Sequence, residues 1–400
     1  MVSRLAGVDV ALNGGPHCFV LLDGDLHVSH GTSDSPHLWW APGRVNLIGD
    51  HTDYSGGFVL PIAIQLGTTA QVTRRDDGLL SATSAQVSEP ARRQMVAELS
   101  PNADSWAAYV EGAAWILTTE GVAVPGADVH IDSDLPLSAG LSSSAALICA
   151  TMGALLAAAG VSWEPHRMAV AARRVENEYV GAPVGVMDHM VVMLGERDHA
   201  LFIDSRSGDY ETVPLALDDA GLTLITVETE ATHRTVGAEY AARVAECDHA
   251  ARALGVASLR EVGSVREVDS ITDPTLRARA RHVVTENERV GKTVRLLRAG
   301  QLRDIGPLML ASHASLRDDF AVSTPELDLV VETATEAGAL GARLTGAGFG
   351  GCAVLLVEAA DVHRVVDSVR SAGTASGGAV PQVWSVLPSP GAHSVSPSTP

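Results

Sequence analysis

Two periods of apolar and polar residues alternate along this chain, and the switches between them mark its elements. After the apolar run Phe58 to Ile64, residues Gly67 to Arg75 alternate in the manner of a half-buried strand. A helix is expected from Asp104 to Thr118, with Trp106 and Tyr109 one turn apart on one face. The strand Ala127 to Asp132 follows, then a helix from Leu141 through the apolar segment Leu147 to Ala159, and another from Pro165 to Tyr179. His199 to Asp204 and Leu222 to Thr229 read as strands. From Thr235 the pattern turns helical: Val236 to Leu254, Pro274 to Ala299, Leu302 to Phe320 and Pro325 to Ala337. The strand Ala353 to Val357, a helix to about Arg370 and a strand from Gln382 to Val386 complete the pattern. Residues 1 to 37 show weak periodicity, and the Pro/Ser-rich stretch from Pro388 reads as a disordered tail.

Composition narrows the class. The 400 residues are 46% hydrophobic and 19% charged, a globular balance with ample chain for a large core. With 28 basic and 48 acidic side chains the net charge is −20, which disfavours nucleic acid or an anionic membrane as partner. The four cysteines are scattered and read as reduced. The first thirty residues lack the unbroken apolar core of a secretory signal, so a cytoplasmic protein is expected.

Three stretches carry candidate chemistry. Leu135 to Ala146 is a Pro/Gly/Ser loop ending in Ser142, Ser143 and Ser144 and opening a helix, whose unpaired N–H groups suit an anion. No Gly-Lys-Ser/Thr follows, so it is not the P-loop; an ordinary Ser-capped helix is the plain alternative. Residues 39 to 57 bring Arg44, Asp50, His51 and Asp53 within ten positions, in a segment that reads as a loop suited to hydroxyls or a phosphate. Within Gly341 to Cys352, four glycines in the six residues 346–351 read as a loop. Asp188, an acid among apolar residues after Gly185, is either a helix cap or a partly buried base. Glu176 and Glu178 read as a solvated helix face.

Together these motifs resemble the superfamily of galactokinase, homoserine kinase, mevalonate kinase and phosphomevalonate kinase, and residues 39 to 54 resemble the galactokinase signature. Arg281 to Asn287, Ser315 to Phe320 and Gly341 to Cys352 agree, so the likeness covers roughly Ala41 to Leu387. It implies an α+β, two-lobed small-molecule kinase fold with mixed sheets, packed helices and the active site between lobes. The expected division is 1–37 as an extension, 38–215 as the N-terminal lobe, 216–388 as the C-terminal lobe and 389–400 as the tail.

The resemblance further implies phosphoryl transfer from MgATP to the C1 hydroxyl of galactose. Asp188 and Arg44 are then catalytic, with Arg44, Asp50, His51, Asp53, Gly185, Asp188 and Tyr240 around the sugar. Trp106 and Tyr109 line the adenine site, and Ser138, Ala139, Gly140, Leu141, Ser142, Ser143, Ser144 and Ala145 take the ATP phosphates. Ser144 and Glu176 serve Mg²⁺, and residues 346–351 buttress the phosphate loop. Partners are a small sugar and ATP, with the chain a monomer or weak dimer. The chain departs from the family in three residues: Asp50 stands where Glu is usual, His189 where Gln is usual and Ser138 where Gly is common. A Phe-rich helix before Ala41 is also lacking. Two other functions follow from these departures and from the family's range: a sugar-1-kinase for N-acetylgalactosamine, L-arabinose or galacturonate, and a catalytically silent sugar and ATP sensor.

Overall fold

The computed structural model describes residues 20–22, 25–27, 35–89, 92–136, 140–229, 236–377 and 380–396. The chain divides into the units Met1–Ser35 and Pro36–Pro400. In the first, β1 (Val20–Leu22) pairs antiparallel with β2 (Asp25–His27); the rest of that extension lies outside the described residues.

The second unit begins with β3 (His37–Ile48), which pairs antiparallel with β4 (Phe58–Arg75). Residues 41–48, read as part of a polar loop, are therefore strand. Pro42 and Gly43 disguised it: the ladder shifts register between Pro42 and Arg44, and a bulge is where a strand tolerates proline and re-aims a side chain. A Cβ at Gly43 would come within 2.4 Å of Leu135 Cδ2 and 2.8 Å of Leu141 O, so glycine lets the strand press against the loop before the serines.

Next come β5 (Leu79–Ser84), β6 (Arg92–Met95), α1 (Ala107–Thr119), β7 (Gly126–Ser133) and α2 (Ser143–Ala158). They are followed by α3 (Pro165–Arg174), a π-type turn Val175–Val180, α4 (Met187–Leu194), β8 (His199–Asp204) and β9 (Tyr210–Pro214). An eight-stranded mixed sheet runs β14-β3-β4-β7-β5-β6, where β14 is His393–Val395, with β8 on β4 and β9 on β8; among the described strands β5 and β7 alone pair in parallel. α2 is apolar all round and packs on β3 and β4, burying residues such as Ile148, Met152 and Leu155.

The remaining elements are β10 (Leu222–Thr229), α5 (Val236–Leu254), α6 (Val265–Val268), α7 (Pro274–Arg298), α8 (Gly306–Asp318), α9 (Pro325–Glu336), β11 (Gly341–Thr345), β12 (Gly351–Glu358), α10 (Val362–Ala375), β13 (Gln382–Val386) and β14 (His393–Val395). α7 starts on Asp273, whose carboxylate accepts from Thr275 N and Leu276 N, with Pro274 in the first helical position. A four-stranded antiparallel sheet runs β11-β12-β10-β13. All four strands of the smaller sheet follow the boundary expected at 215/216, but β14 returns to the large sheet, and Leu224, Val354 and Leu356 join the large sheet's apolar cluster.

Gly341–Thr345, just ahead of the glycine loop, is a fully buried strand that the sequence pattern did not mark. One further expectation is corrected. The tail is ordered through residue 396: Pro388 bridges Ile64, Ser389 N donates to Ala63 O at 3.0 Å, and β14 pairs with β3. Composition misled here, because a β-edge supplies the hydrogen bonds that a Pro/Ser-rich strand cannot make alone. Residues 397–400 lie outside the described residues. No described helix is long and apolar enough to cross a membrane.

Candidate active site

The bulge in β3 turns Arg44 toward α4, where Asp188 stands in the first turn. Arg44 Nε donates to Asp188 Oδ1 at 2.8 Å and Nη2 to Oδ2 at 2.9 Å, a bidentate pair, while Nη1 donates to Gly140 O at 2.5 Å. Ser142 Oγ also donates to Asp188 Oδ2. Asp188 caps nothing, since α4 has no side-chain cap; its carboxylate is spent on this network. Arg44 is 7% exposed, and its own N–H bonds Leu141 O at 3.0 Å. Strand, serine loop and acid are thus one hydrogen-bonded unit.

A cavity of about 300 Å³ opens beside this unit. Arg44, Asp50, His51, Asp53, Gly185, Asp188 and Tyr240 all line it, with Gly346 and Ala347 from the glycine loop. A Cβ at Gly185 would lie 1.6 Å from Asp53 Oδ2, so only glycine leaves that carboxylate where it is. Gly185→Ala is therefore expected to raise KM for the sugar at least ~10-fold with a smaller effect on KM for ATP. Steady-state kinetics with each substrate varied checks this, and an unchanged sugar KM would remove Asp53 from the binding site.

Burial, with Asp188 nearby, pushes the Asp53 carboxyl up to about 6. A carboxyl that keeps its proton to about 6 in the folded chain but to only 3.8 unfolded adds stability below about pH 4, and that contribution is lost as pH rises through 6. An ionised Asp53 accepts hydrogen bonds from hydroxyl groups through both oxygens, so a sugar held there is expected to bind better as pH rises. The expected kcat/KM for the sugar rises with an apparent pKa near 6 in the free enzyme, and a profile flat from pH 5 to 7 would contradict the role.

His51 has a left-handed backbone, φ 63°. Its Nε2–H donates to Ala347 O at 3.1 Å and its Nδ1 accepts from Tyr54 OH at 2.9 Å. Burial, with His282 nearby, takes the imidazole down to about 3, so it is neutral. Asp50 lines the cavity but is only 3% exposed, and both its oxygens are engaged: Arg343 Nη2 donates to Oδ2 and Gly346 N to Oδ1 at 2.9 Å. Burial raises the Asp50 carboxyl and Arg343 opposes that.

Several supporting residues had no assigned role in the sequence. Arg343 is fully buried in β11 and also donates to Asn46 O at 3.1 Å. On α7, His282 Nε2 donates to Asp50 O, Glu286 Oε1 accepts from Gly49 N at 2.9 Å, and Asn287 Oδ1 accepts from Phe58 N at 2.7 Å. Burial would raise the Glu286 carboxyl, but Arg289, His282, Arg343 and Ser312 hold it down to about 2. The available signal was three polar residues at helical spacing among Val283, Val284 and Val290, and one arginine in an apolar strand.

A second cavity of about 220 Å³ is lined by Trp106 and Tyr109 from the α1 region and by Ser143 and Ser144 from the first turn of α2, as expected for a planar base beside a phosphate site. Ser138 and Ala139 lie outside the described residues. Leu141 and Ala145 are buried, so any contact they make with phosphate is through backbone. Glu176 is not on a solvated face: the π-type turn brings it inside, 5% exposed, with Oε2 3.0 Å from His189 Nε2, while Glu178 stays out and bonds Arg174. Among the described residues no arginine or lysine pairs with Glu176.

The chain matches the galactokinase galactose-binding signature over residues 27–74, the GHMP kinases N terminal domain over 108–196 and the GHMP kinases C terminal model over 293–375. It is 46% identical over 365 residues to a galactokinase of Streptomyces coelicolor, spanning 89% of this chain and 93% of that protein. The chain belongs to the galactokinase family. A Bos taurus galactokinase is 42% identical over 341 residues, spanning 82% of this chain and 86% of that protein. Lactococcus lactis galactokinase complexed with galactose matches this galactokinase-family chain with TM-score 0.87 and 32% identity, covering 92% and 97% of the two chains. Methanococcus jannaschii mevalonate kinase, 18% identical with TM-score 0.66 over 88% and 98%, shares the fold. An ATP-dependent sugar kinase is the enzyme class of this family member.

Proposed function

We propose that the chain transfers the γ-phosphoryl group of ATP to the C1 hydroxyl of galactose, giving galactose 1-phosphate and ADP, in the cytoplasm. The observation that carries this is the Arg44–Asp188 pair, which joins a polar cavity fit for a sugar to the serine loop beside an aromatic cleft. Asp188 Oδ1 takes the hydroxyl proton as the sugar oxygen bonds the γ-phosphorus and the bond to the β–γ bridging oxygen breaks. Phosphoryl transfer has a loose transition state that needs alignment and charge neutralisation more than a strong base. Arg44 supplies fixed positive charge there. Ser144 and buried Glu176, which among the described residues meets His189 but no arginine or lysine, are oxygen donors that fit Mg²⁺, which would neutralise phosphate charge. Among the described residues no cluster of three acidic, His or Cys groups forms a full metal cage, which suits an ion that keeps waters and phosphate oxygens.

The engagement of Asp50 by Arg343 favours a second reading, a sugar-1-kinase whose preferred substrate is not galactose. A coupled ADP-release assay with galactose, galactosamine, N-acetylgalactosamine, arabinose, galacturonate and glucose separates them. Highest kcat/KM on galactose supports the first reading, a different preferred sugar supports the second, and no turnover on any rejects both.

A further inference from the structure

We propose that Ser142 is a positioning residue for Asp188 rather than a donor to the nucleotide phosphates. The three consecutive serines face two ways. Ser143 and Ser144 line the aromatic cleft, whereas Ser142, 7% exposed, sends its hydroxyl to Asp188 Oδ2. It stands at the N-cap of α2, where a serine hydroxyl ordinarily accepts from its own helix, yet it makes no cap bond. Its backbone is left-handed, φ 61° and ψ 43°, a conformation a non-glycine residue holds only where its surroundings over-determine it.

The network explains what the arrangement accomplishes. Asp188 Oδ2 accepts from both Arg44 Nη2 and Ser142 Oγ, and among the described residues Oδ1 accepts from Arg44 Nε alone. A carboxylate oxygen accepts about two hydrogen bonds, so Oδ2 is filled and one site on Oδ1 is left for a substrate hydroxyl. Ser142 thereby decides which oxygen receives the proton and stops the carboxylate turning about its Cβ–Cγ bond. The same residue ties the sugar-side acid to the loop at the head of α2. This inference rests on the reading of Asp188 as proton acceptor.

Ser142→Gly and Ser142→Ala test it together, since glycine keeps the left-handed backbone at ease while both lose the hydroxyl. In each variant kcat for the preferred sugar is expected to fall about 10- to 100-fold, as for a misplaced catalytic group, with the Kd of ADP, measured by calorimetry, within about 2-fold of wild type. Normal kcat in Ser142→Gly would overturn the proposal by showing that backbone conformation, not the hydroxyl, matters. A raised Kd for ADP or KM for ATP with kcat retained would overturn it by returning the hydroxyl to the nucleotide. Wild-type turnover with both variants unaffected overturns the Ser142 role alone, and wild-type silence on every sugar overturns this role together with the proposed function.

Discussion

Asp188→Ala lowers kcat at least ~10²-fold while the affinity for ATP changes little. Among the described residues the carboxylate is the one acid of the larger cavity joined directly to the serine loop, through Ser142, and to Arg44, which itself reaches Gly140 O. Removing it takes away the proton acceptor and lets the guanidinium, 7% exposed and without its ion-pair partner, settle elsewhere. Asp188→Asn isolates the chemistry: it keeps the shape and one acceptor oxygen but cannot take the proton, so it is expected to be nearly as slow. The nucleotide cleft, lined by Trp106, Tyr109, Ser143 and Ser144, keeps its contacts in both variants. Near-normal kcat in the asparagine variant would mean that Asp188 orients substrate without accepting its proton, and near-normal kcat in the alanine variant would remove it from the reaction.

Arg343→Leu destabilises the fold by about 3–5 kcal/mol at neutral pH, the cost of removing one partner from a buried ion pair. Arg343 is wholly buried and Asp50 is 3% exposed, so neither charge has water to fall back on. With the guanidinium gone, only the more distant Arg44 and the Gly346 N–H still oppose burial, and the Asp50 carboxyl rises further. The folded chain then binds a proton that the unfolded chain releases near 3.8, so the variant recovers stability as pH falls and loses it as pH rises. Urea denaturation at pH 5 and pH 8 measures this, with the larger deficit expected at pH 8. Adding Asp50→Asn to Arg343→Leu removes the orphaned charge and is expected to restore much of the loss. A variant as stable as wild type at pH 8 would show that Asp50 is protonated in the native chain and that the pair contributes no ionic stabilisation.

The sequence exposed the helices well, because their apolar stripes repeat over many turns: α5 spans the expected Val236–Leu254, and α7 ends one residue short of the expected Ala299. Strands were harder where the chain signals a turn inside one. Pro42 and Gly43 hid β3, and β11, five residues running straight into the four glycines of 346–351, was not marked as a strand. The residues expected around the sugar do converge on one cavity: Arg44, Asp50, His51 and Asp53 stood out by type and close spacing, whereas Gly185 and Tyr240 came from the family resemblance alone. Their supports, Arg343, His282, Glu286 and Asn287, sit some 230 to 300 positions away in sequence and act on the loop from behind, so only the folded chain brings them there. Asp50 shows the limit most clearly: its type suggested a sugar ligand, whereas burial and Arg343 turn its carboxylate toward the interior.

The most direct measurement is the identity of the product. Purified protein, MgATP and ¹³C-labelled galactose, followed by ³¹P and ¹³C NMR, should give one sugar phosphate with phosphorus coupled to C1 and ADP in equal amount. No galactose-dependent ADP, or phosphate on any other oxygen of the ring, would contradict a sugar site in which Asp188 faces the C1 hydroxyl.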